Sequence, residues 1–442
     1  MKFNKKIFLF LGIYVLCFIY SFFFSTVYND EIWNYGFAYN IASGLIPYRD
    51  FGMLQTPLYF YLASIFIKIF GNYLYSFHLF NSIVLACIIF ICYEKLGKKS
   101  FILLPFIFLN CYPGYNIFSV LLMLILVNIT DKDFVYKDFF MGLLLGLMFL
   151  TKQHIGICLL VPLLFYSKNR IKGIIGFISP IMLLVIYLIF NNALYEFIDY
   201  AFLGIFEFGE NNGIWLFFPV EVIICFIIAY KLFKSKFGNR RLFYILMYQI
   251  VTVPIFDDYH FMIGFIPVLY YILLVSNIEN YKIKYYIIIS LAFFVCWNFK
   301  IHEFEGINFY TDSNSYLYGR NIPVYVNLDS ITDYIVDNKN NYDHIYFFSK
   351  NAFYVKLNAK YPLDKYDMIL NGNMGYNGAS RYIDEIDRFC FKNKCMFILY
   401  KYEFDENNLS QTNIELVDYV KNTFSRIEEV DVFYIYSNDI II

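Results

Sequence analysis

The chain has 442 residues, of which 60% are hydrophobic and 16% charged, with 53 Phe, 44 Tyr and 3 Trp. Soluble domains carry roughly 25% charged residues, so this composition excludes one, and it offers no basic face of the size that nucleic acid requires. The net charge of -1 hides a division: residues 1–300 hold 22 Lys/Arg against 15 Asp/Glu, whereas residues 301–442 hold 13 against 21.

In chain order, Met1 to Lys6 supplies three lysines and leads into an apolar run, 7–24, with no small-x-small cleavage site after it. It reads as a retained first span with its lysines in the cytoplasm, which makes 26–56 a first outer loop. The short aromatic stretch 57–70 contains Lys68 and suits a helix lying at the interface. Residues 76–93 cross back to Lys95, Lys98 and Lys99. The apolar blocks 101–130 and 138–167 are broken by Pro113-Gly114 and by Thr151-Lys152-Gln153-His154, and each reads as a pair of short helices. Lys152 in the middle of one long helix would cost at least about 2.5 kcal/mol; at the outer end of a hairpin it is hydrated. Spans 173–190, 214–230, 242–256, 261–276 and 283–299 follow, with an outer loop at 191–213 and a basic inner loop at 231–241. The total is about 11 spans, an odd number, which puts the C-terminus outside.

The expected fold class is therefore a polytopic α-helical protein of the cell membrane, its N-terminus cytoplasmic, with a C-terminal extracytoplasmic α/β domain. Residues 1–300 form the transmembrane domain, with the first outer loop and interfacial helix within 26–75, and residues 301–442 form the outer domain. Within the latter, helices near 329–339, 379–391 and 413–424 alternate with strands at 344–349, 366–370, 396–400 and 432–436, as in a small α/β layer. Seven of the nine Cys lie within or beside apolar segments as small hydrophobic fillers. Cys390 and Cys395 form CxxxxC without a nearby His; this argues against a metal site, and the two are read as free thiols sooner than as a disulfide.

This topology brings Asp30, Glu31, Arg49, Asp50, Lys152, Gln153, His154, Glu207, Glu210, Asp257, Asp258 and His260 to the outer face together. Such convergence suits an extracytoplasmic active site, whereas a transporter places ionisable groups near the midplane. Asn29-Asp30-Glu31 follows the first span directly, so its carboxylates sit at headgroup depth, where one can serve as general base or help to hold a divalent cation. Metal dependence is left open. Between an expected strand and helix, Asn371-Gly372-Asn373-Met374-Gly375-Tyr376-Asn377-Gly378 offers backbone N–H groups to an anion or sugar phosphate.

These motifs resemble the GT-C glycosyltransferases, in particular the bacterial branch related to protein O-mannosyltransferases and aminoarabinose transferases (family 39-like). The shared pattern is the acidic pair Asp30-Glu31 after the first span, then Gly44-x-x-Pro47-Tyr48-x-Asp50, then Pro57-Leu58-x-x-Tyr61-Leu62. Thr151-Lys152-Gln153-x-x-Gly156, and an acidic-then-His element within Asp257 to Pro267, are similar to recurrent features of that branch, as is the glycine loop Asn371 to Gly378. The resemblance implies a polyprenyl-phosphate-linked sugar donor, Asp30 as the catalytic acid assisted by Glu31, and an acceptor that is a lipid, wall glycan or protein. It also implies that Arg49, Asp50, Lys152, Gln153, His154, Asp258 and His260 contact the donor phosphate or substrate. Three alternatives are set against it. A polymerase or ligase would use arginine-rich outer loops, but Arg49 is the sole arginine there; a flippase for a lipid-linked glycan would need midplane charges; a non-catalytic envelope scaffold would not need Asp30.

Overall fold

The computed structural model describes residues 2–24, 29–109, 114–212, 214–278, 282–292, 310–312, 322–324, 328–349, 351–366, 369, 373–376, 378–401 and 414–438. Its first part is a helical bundle: α1 (Lys2–Phe24), α2 (Asn29–Ala42), α3 (Leu58–Phe70), α4 (Leu74–Leu96), α5 (Leu104–Leu109), α6 (Tyr115–Ile129), α7 (Lys137–Phe149), α8 (Gln153–Tyr166) and α9 (Arg170–Phe190) come first. Then follow α10 (Leu194–Ile198), α11 (Gly204–Asn212), α12 (Phe218–Lys234), α13 (Arg240–Tyr248), α14 (Asp258–Val275) and α15 (282–292). By length and composition four of the described helical segments can cross a bilayer: Lys5–Phe22, Leu74–Ile102, Arg170–Phe190 and Asp258–Val275. Leu58–Phe70, Tyr115–Ile129 and Gln153–Tyr166 are shorter apolar helices. The molecule is thus a helical membrane protein; the figure of about 11 spans remains an expectation.

Polar contacts sort the bundle into two ends. At the basic end Lys6 pairs with Glu94, Lys99 Nζ bonds to the carbonyls of Leu273 and Ser276, and Arg241 reaches Asp131 at 3.1 Å. There too Lys168 approaches Asp133, and Asp138 accepts from the Asn169 N–H. Both long apolar blocks are therefore helix pairs that return to this end, with Lys152 at the opposite end. Helix α7 of the second pair meets the following helix, α9, through glycines. A Cβ on Gly142 would lie 2.0 Å from the Gly173 carbonyl oxygen, and one on Gly176 would lie 2.1 Å from that of Phe139. Small residues let backbones close in where no hydrophobic effect drives helices together.

Several expectations change. The first outer loop is largely helix, since Asn29 begins α2, whose residues are buried on nearly every side. That burial erases the 3.6-residue polar–apolar rhythm by which a helix is recognised. The outer loop 191–213 is likewise helical, with a π turn at Asp199–Leu203 between α10 and α11. The span 242–256 ends early: α13 stops at Tyr248, and a 3-10 turn, Gln249–Thr252, follows.

The C-terminal part contains β1 (Tyr310–Asp312) and β2 (Ile322–Val324), an antiparallel pair, and then α16 (Asp329–Asn338), β3 (His344–Phe348), α17 (Ala352–Asn358), α18 (Gly378–Cys390), β4 (Cys395–Tyr400), α19 (Ile414–Thr423), β5 (Ser425–Val430) and β6 (Phe433–Ser437). The four-stranded sheet runs in the order β3-β4-β6-β5, with β3 and β4 parallel and the other pairs antiparallel. Tyr366 lies in a turn and not in the expected strand 366–370, of which 367, 368 and 370 fall outside the described residues. Sequence reading missed β1, β2 and β5, the last a charged and exposed edge strand without apolar alternation. Cys390 and Cys395 form a disulfide with Cα atoms 5.8 Å apart, which corrects the free-thiol reading. It ties the end of α18 to the start of β4.

Candidate functional site

At the end of the bundle opposite the lysines, four chain segments converge. The first is the start of α2. Two consecutive helical residues point about 100° apart, and Asp30 and Glu31 divide accordingly. Glu31 is 0% exposed: its Oε1 lies 2.8 Å from His78 Nε2, and His78 Nδ1 lies 2.5 Å from Ser21 Oγ. Ser, His and Glu in this order form the array of a nucleophilic triad, yet Ser21 is 1% exposed and has no access to a substrate. The chain of contacts is a buried strut joining α2, α4 and α1. Asp30 instead keeps a solvent-exposed surface.

The second segment is the turn between α7 and α8. Gly156 allows it to be tight, because a Cβ there would sit 2.5 Å from the Phe149 backbone nitrogen. Lys152 caps α8 in an extended conformation and turns inward. Its Nζ bonds to the Val251 carbonyl at 2.9 Å and to Asn116 Oδ1 at 3.2 Å, and stands 5.9 Å from the centre of the Tyr115 ring. Burial pulls the ammonium down to about 7, against the opposing charge of Asp257. His154 bonds to the Ile250 carbonyl, and its Nε2 is buried without a protein partner. Gln153 points elsewhere: its amide donates to the carbonyls of Leu54 and Ala201, so it holds the first loop and the π turn together.

The third segment begins α14. Asp257 caps the helix, its Oδ1 accepting from the His260 N–H at 2.7 Å and lying 2.9 Å from His260 Nδ1. Burial would raise this carboxyl, but His260 outweighs burial and holds it below the ordinary range. Asp258 is half-buried beside it. The fourth segment is Tyr115-Asn116, just after the Pro113-Gly114 break, where Asn116 Oδ1 accepts from Lys152 Nζ and the Tyr115 ring lies beside the same ammonium. Asp30 is within electrostatic reach of His260, Asp257, Tyr115 and Tyr259. Its carboxyl is held above the usual range by the surrounding protein, with His260 opposing the rise and Asp257 adding to it.

Of the residues singled out in the sequence, Asp30, Lys152, His154, Asp257, Asp258 and His260 come together at this end, where Tyr115, Asn116 and Tyr259, not singled out there, join them. The missed signal was available for Asn116, a polar residue following a helix break at the outer end. Arg49 and Asp50 form a separate group, a two-pronged ion pair of 2.7 and 2.8 Å on the exposed first loop, whose other charged neighbour is Lys365. The side chains of Glu207 and Glu210 lie outside the described residues, as do Asn371 and Gly372. Among the described residues no three His, Cys, Asp or Glu side chains gather as metal ligands.

The C-terminal domain is seated over this end. The Gly52 N–H donates to the Lys365 carbonyl at 2.9 Å, Phe353 fills the notch at Gly36, and Tyr200 stacks on Tyr366. Gly375, at φ +78°, packs directly on Asp199, which pairs with Arg381 at 2.9 Å. The described part of the glycine loop, Asn373 to Tyr376 with Gly378, is thus built into the contact between domains. The adjoining segment is held by Asp364. Burial would raise its carboxyl, but the buried Lys356 at 2.6 Å and His344 at 2.5 Å hold it at about 2. A small cleft lined by Phe37, Phe51, Phe353, Asp364 and Asn373 lies between the domains.

The fold is thus a helical bundle with a broken hairpin at one end and a small α/β layer seated above that end. Two solved structures share it. One is ArnT, an aminoarabinose transferase from Cupriavidus metallidurans, bound to undecaprenyl phosphate, with a TM-score of 0.57 and 11% identity over 98% of both chains. The other is the same protein in its apo state, with a TM-score of 0.60 and 10% identity over 99% of this chain and 98% of that one. No family model and no curated protein matches the sequence.

Proposed function

We propose that the protein is an integral-membrane glycosyltransferase that moves a sugar from a polyprenyl-phosphate donor to an acceptor on the outer face of the membrane. The observation that carries this reading is the gathering of Asp30, Lys152 and the Asp257–His260 pair at one end of the bundle. That the solved structure of like fold was obtained with undecaprenyl phosphate supports the donor class. The disulfide supports the orientation, because such bonds persist in oxidising compartments. On this reading residues 1–300 hold the reaction and 301–442 cover it.

In the proposed reaction Asp30 takes the proton of the acceptor hydroxyl as that oxygen attacks the anomeric carbon. The bond from that carbon to the phosphate oxygen breaks, and its electron pair leaves with the polyprenyl phosphate. One displacement inverts configuration. Lys152 is the cation placed to meet the growing phosphate charge, and protein walls in place of water make that charge worth more. Arg49 is less suited, since Asp50 already offsets it. The acceptor, whether lipid, wall glycan or protein, is left to experiment.

The test is mass spectrometry of lipid-linked sugars and envelope glycans in cells lacking the protein and complemented with the native chain or with Asp30→Asn. The native chain is expected to restore a missing sugar and drain a polyprenyl-phosphate-sugar pool, with Asp30→Asn at least about 100-fold slower. Equal rescue by Asp30→Asn would remove the base assignment, and a retained configuration in the product would remove the single displacement.

A further inference from the structure

Resting on the transferase reading above, a second inference concerns Asn116. It is 4% exposed, in the first turn of α6. A carboxamide offers an acceptor oxygen and two N–H donors. Here Oδ1 accepts from Lys152 Nζ at 3.2 Å. The adjoining Tyr115 ring stands 5.9 Å from the same ammonium, and Tyr115 and Tyr259 are both electrostatically coupled to Asp30. A neutral group thus holds the cation of the site beside the tyrosines that surround its acid.

Neutrality is the informative feature. A carboxylate in this place would form a buried ion pair with Lys152. An amide accepts from the ammonium without cancelling its charge. The second Lys152 acceptor, the Val251 carbonyl, is also neutral. Charged and titratable groups that face Lys152 are Asp257 from the start of α14 and His154 from α8, with the Tyr115 ring from α6. We propose that Asn116 is a positioning residue that holds Lys152, at the bundle end that also carries Asp30, as an uncommitted cation free to pair with the phosphate monoester of the departing lipid.

The test uses the full chain in lipid nanodiscs with two variants, the isosteric Asn116→Asp and Asn116→Leu. Competitive acetylation of Lys152 across pH, read by peptide mass spectrometry, reports its titration midpoint without needing turnover. The midpoint is expected to rise by at least about one unit in Asn116→Asp, because an adjacent opposite charge favours the ammonium, and to fall in Asn116→Leu. Binding of undecaprenyl phosphate is expected to weaken by at least about 10-fold in Asn116→Asp, as the lysine is neutralised. Unchanged midpoints in both variants would overturn the placement of Asn116. Shifted midpoints with unaltered binding of undecaprenyl phosphate would overturn its role toward the phosphate. If the native chain neither binds that lipid nor transfers a sugar, the transferase reading fails, while shifted midpoints would still establish the Asn116–Lys152 link.

Discussion

At the residue scale the acidic pair divides its labour, and stability and activity should separate accordingly. Asp30 has a carboxyl held above the ordinary range, so the folded chain binds its proton more tightly than the unfolded chain does. Such a group stabilises the fold while protonated, and that stability is lost as pH rises through its titration range. Asp30→Asn is therefore expected to match or exceed the native thermal midpoint at neutral pH while losing transfer. The acid limb of the native rate profile is expected above the ordinary carboxylate range, since the base must be ionised. Glu31→Ala should behave in the opposite way. It removes the acceptor facing buried His78 Nε2, at a cost of about 2 kcal/mol, and lowers the thermal midpoint. Thermal unfolding followed by tryptophan fluorescence, beside a transfer assay, tests both. From the sequence the two acids could be placed together after the first span, but not told apart, because which one faces inward depends on a helix that hydrophobic periodicity does not reveal.

Among the elements, the broken hairpin 137–166 was legible because a lysine and two polar neighbours interrupt an apolar run, and charge at mid-bilayer is expensive. The helix α2 was not legible because burial on nearly every side leaves no amphipathic rhythm, and α10 and α11 were not because they are only five and nine residues long. The packing of α7 on α9 belongs to the same scale and depends on glycines whose missing side chains leave no room. A Cβ at Gly146 would lie 2.5 Å from the Phe177 carbonyl oxygen. Gly146→Leu is expected to separate the two helices and abolish the monodisperse peak in size-exclusion chromatography, whereas Gly12→Ala, with nothing within 4 Å, should leave it intact. Because α7 leads into the turn that carries Lys152, a partial defect should also lower transfer.

For the whole molecule, the question is what keeps the outer domain over the bundle. Most of the described contact is aromatic and backbone, from Phe353 at Gly36, Tyr200 on Tyr366 and the Gly52–Lys365 bond. The described ion pair across this contact is Arg381–Asp199, with Asp199 2% exposed. Removing one partner of a buried pair leaves a charge without compensation, which costs about 3 kcal/mol. Here the cost falls first on docking, since the pair lies at the contact between the domains and outside the paired strands of the sheet. Arg381→Ala is thus expected to raise hydrogen–deuterium exchange in 351–366 and 194–203 while the strands at 344–348 and 395–400 stay protected. Asp199→Asn should be milder, because the amide can still accept from Arg381 and no carboxylate is stranded. If the outer domain also covers the bundle end that holds Asp30, transfer should fall with docking in the same order, Arg381→Ala below Asp199→Asn. Raised exchange with unaltered transfer would mean that the domain is a passenger on the membrane site.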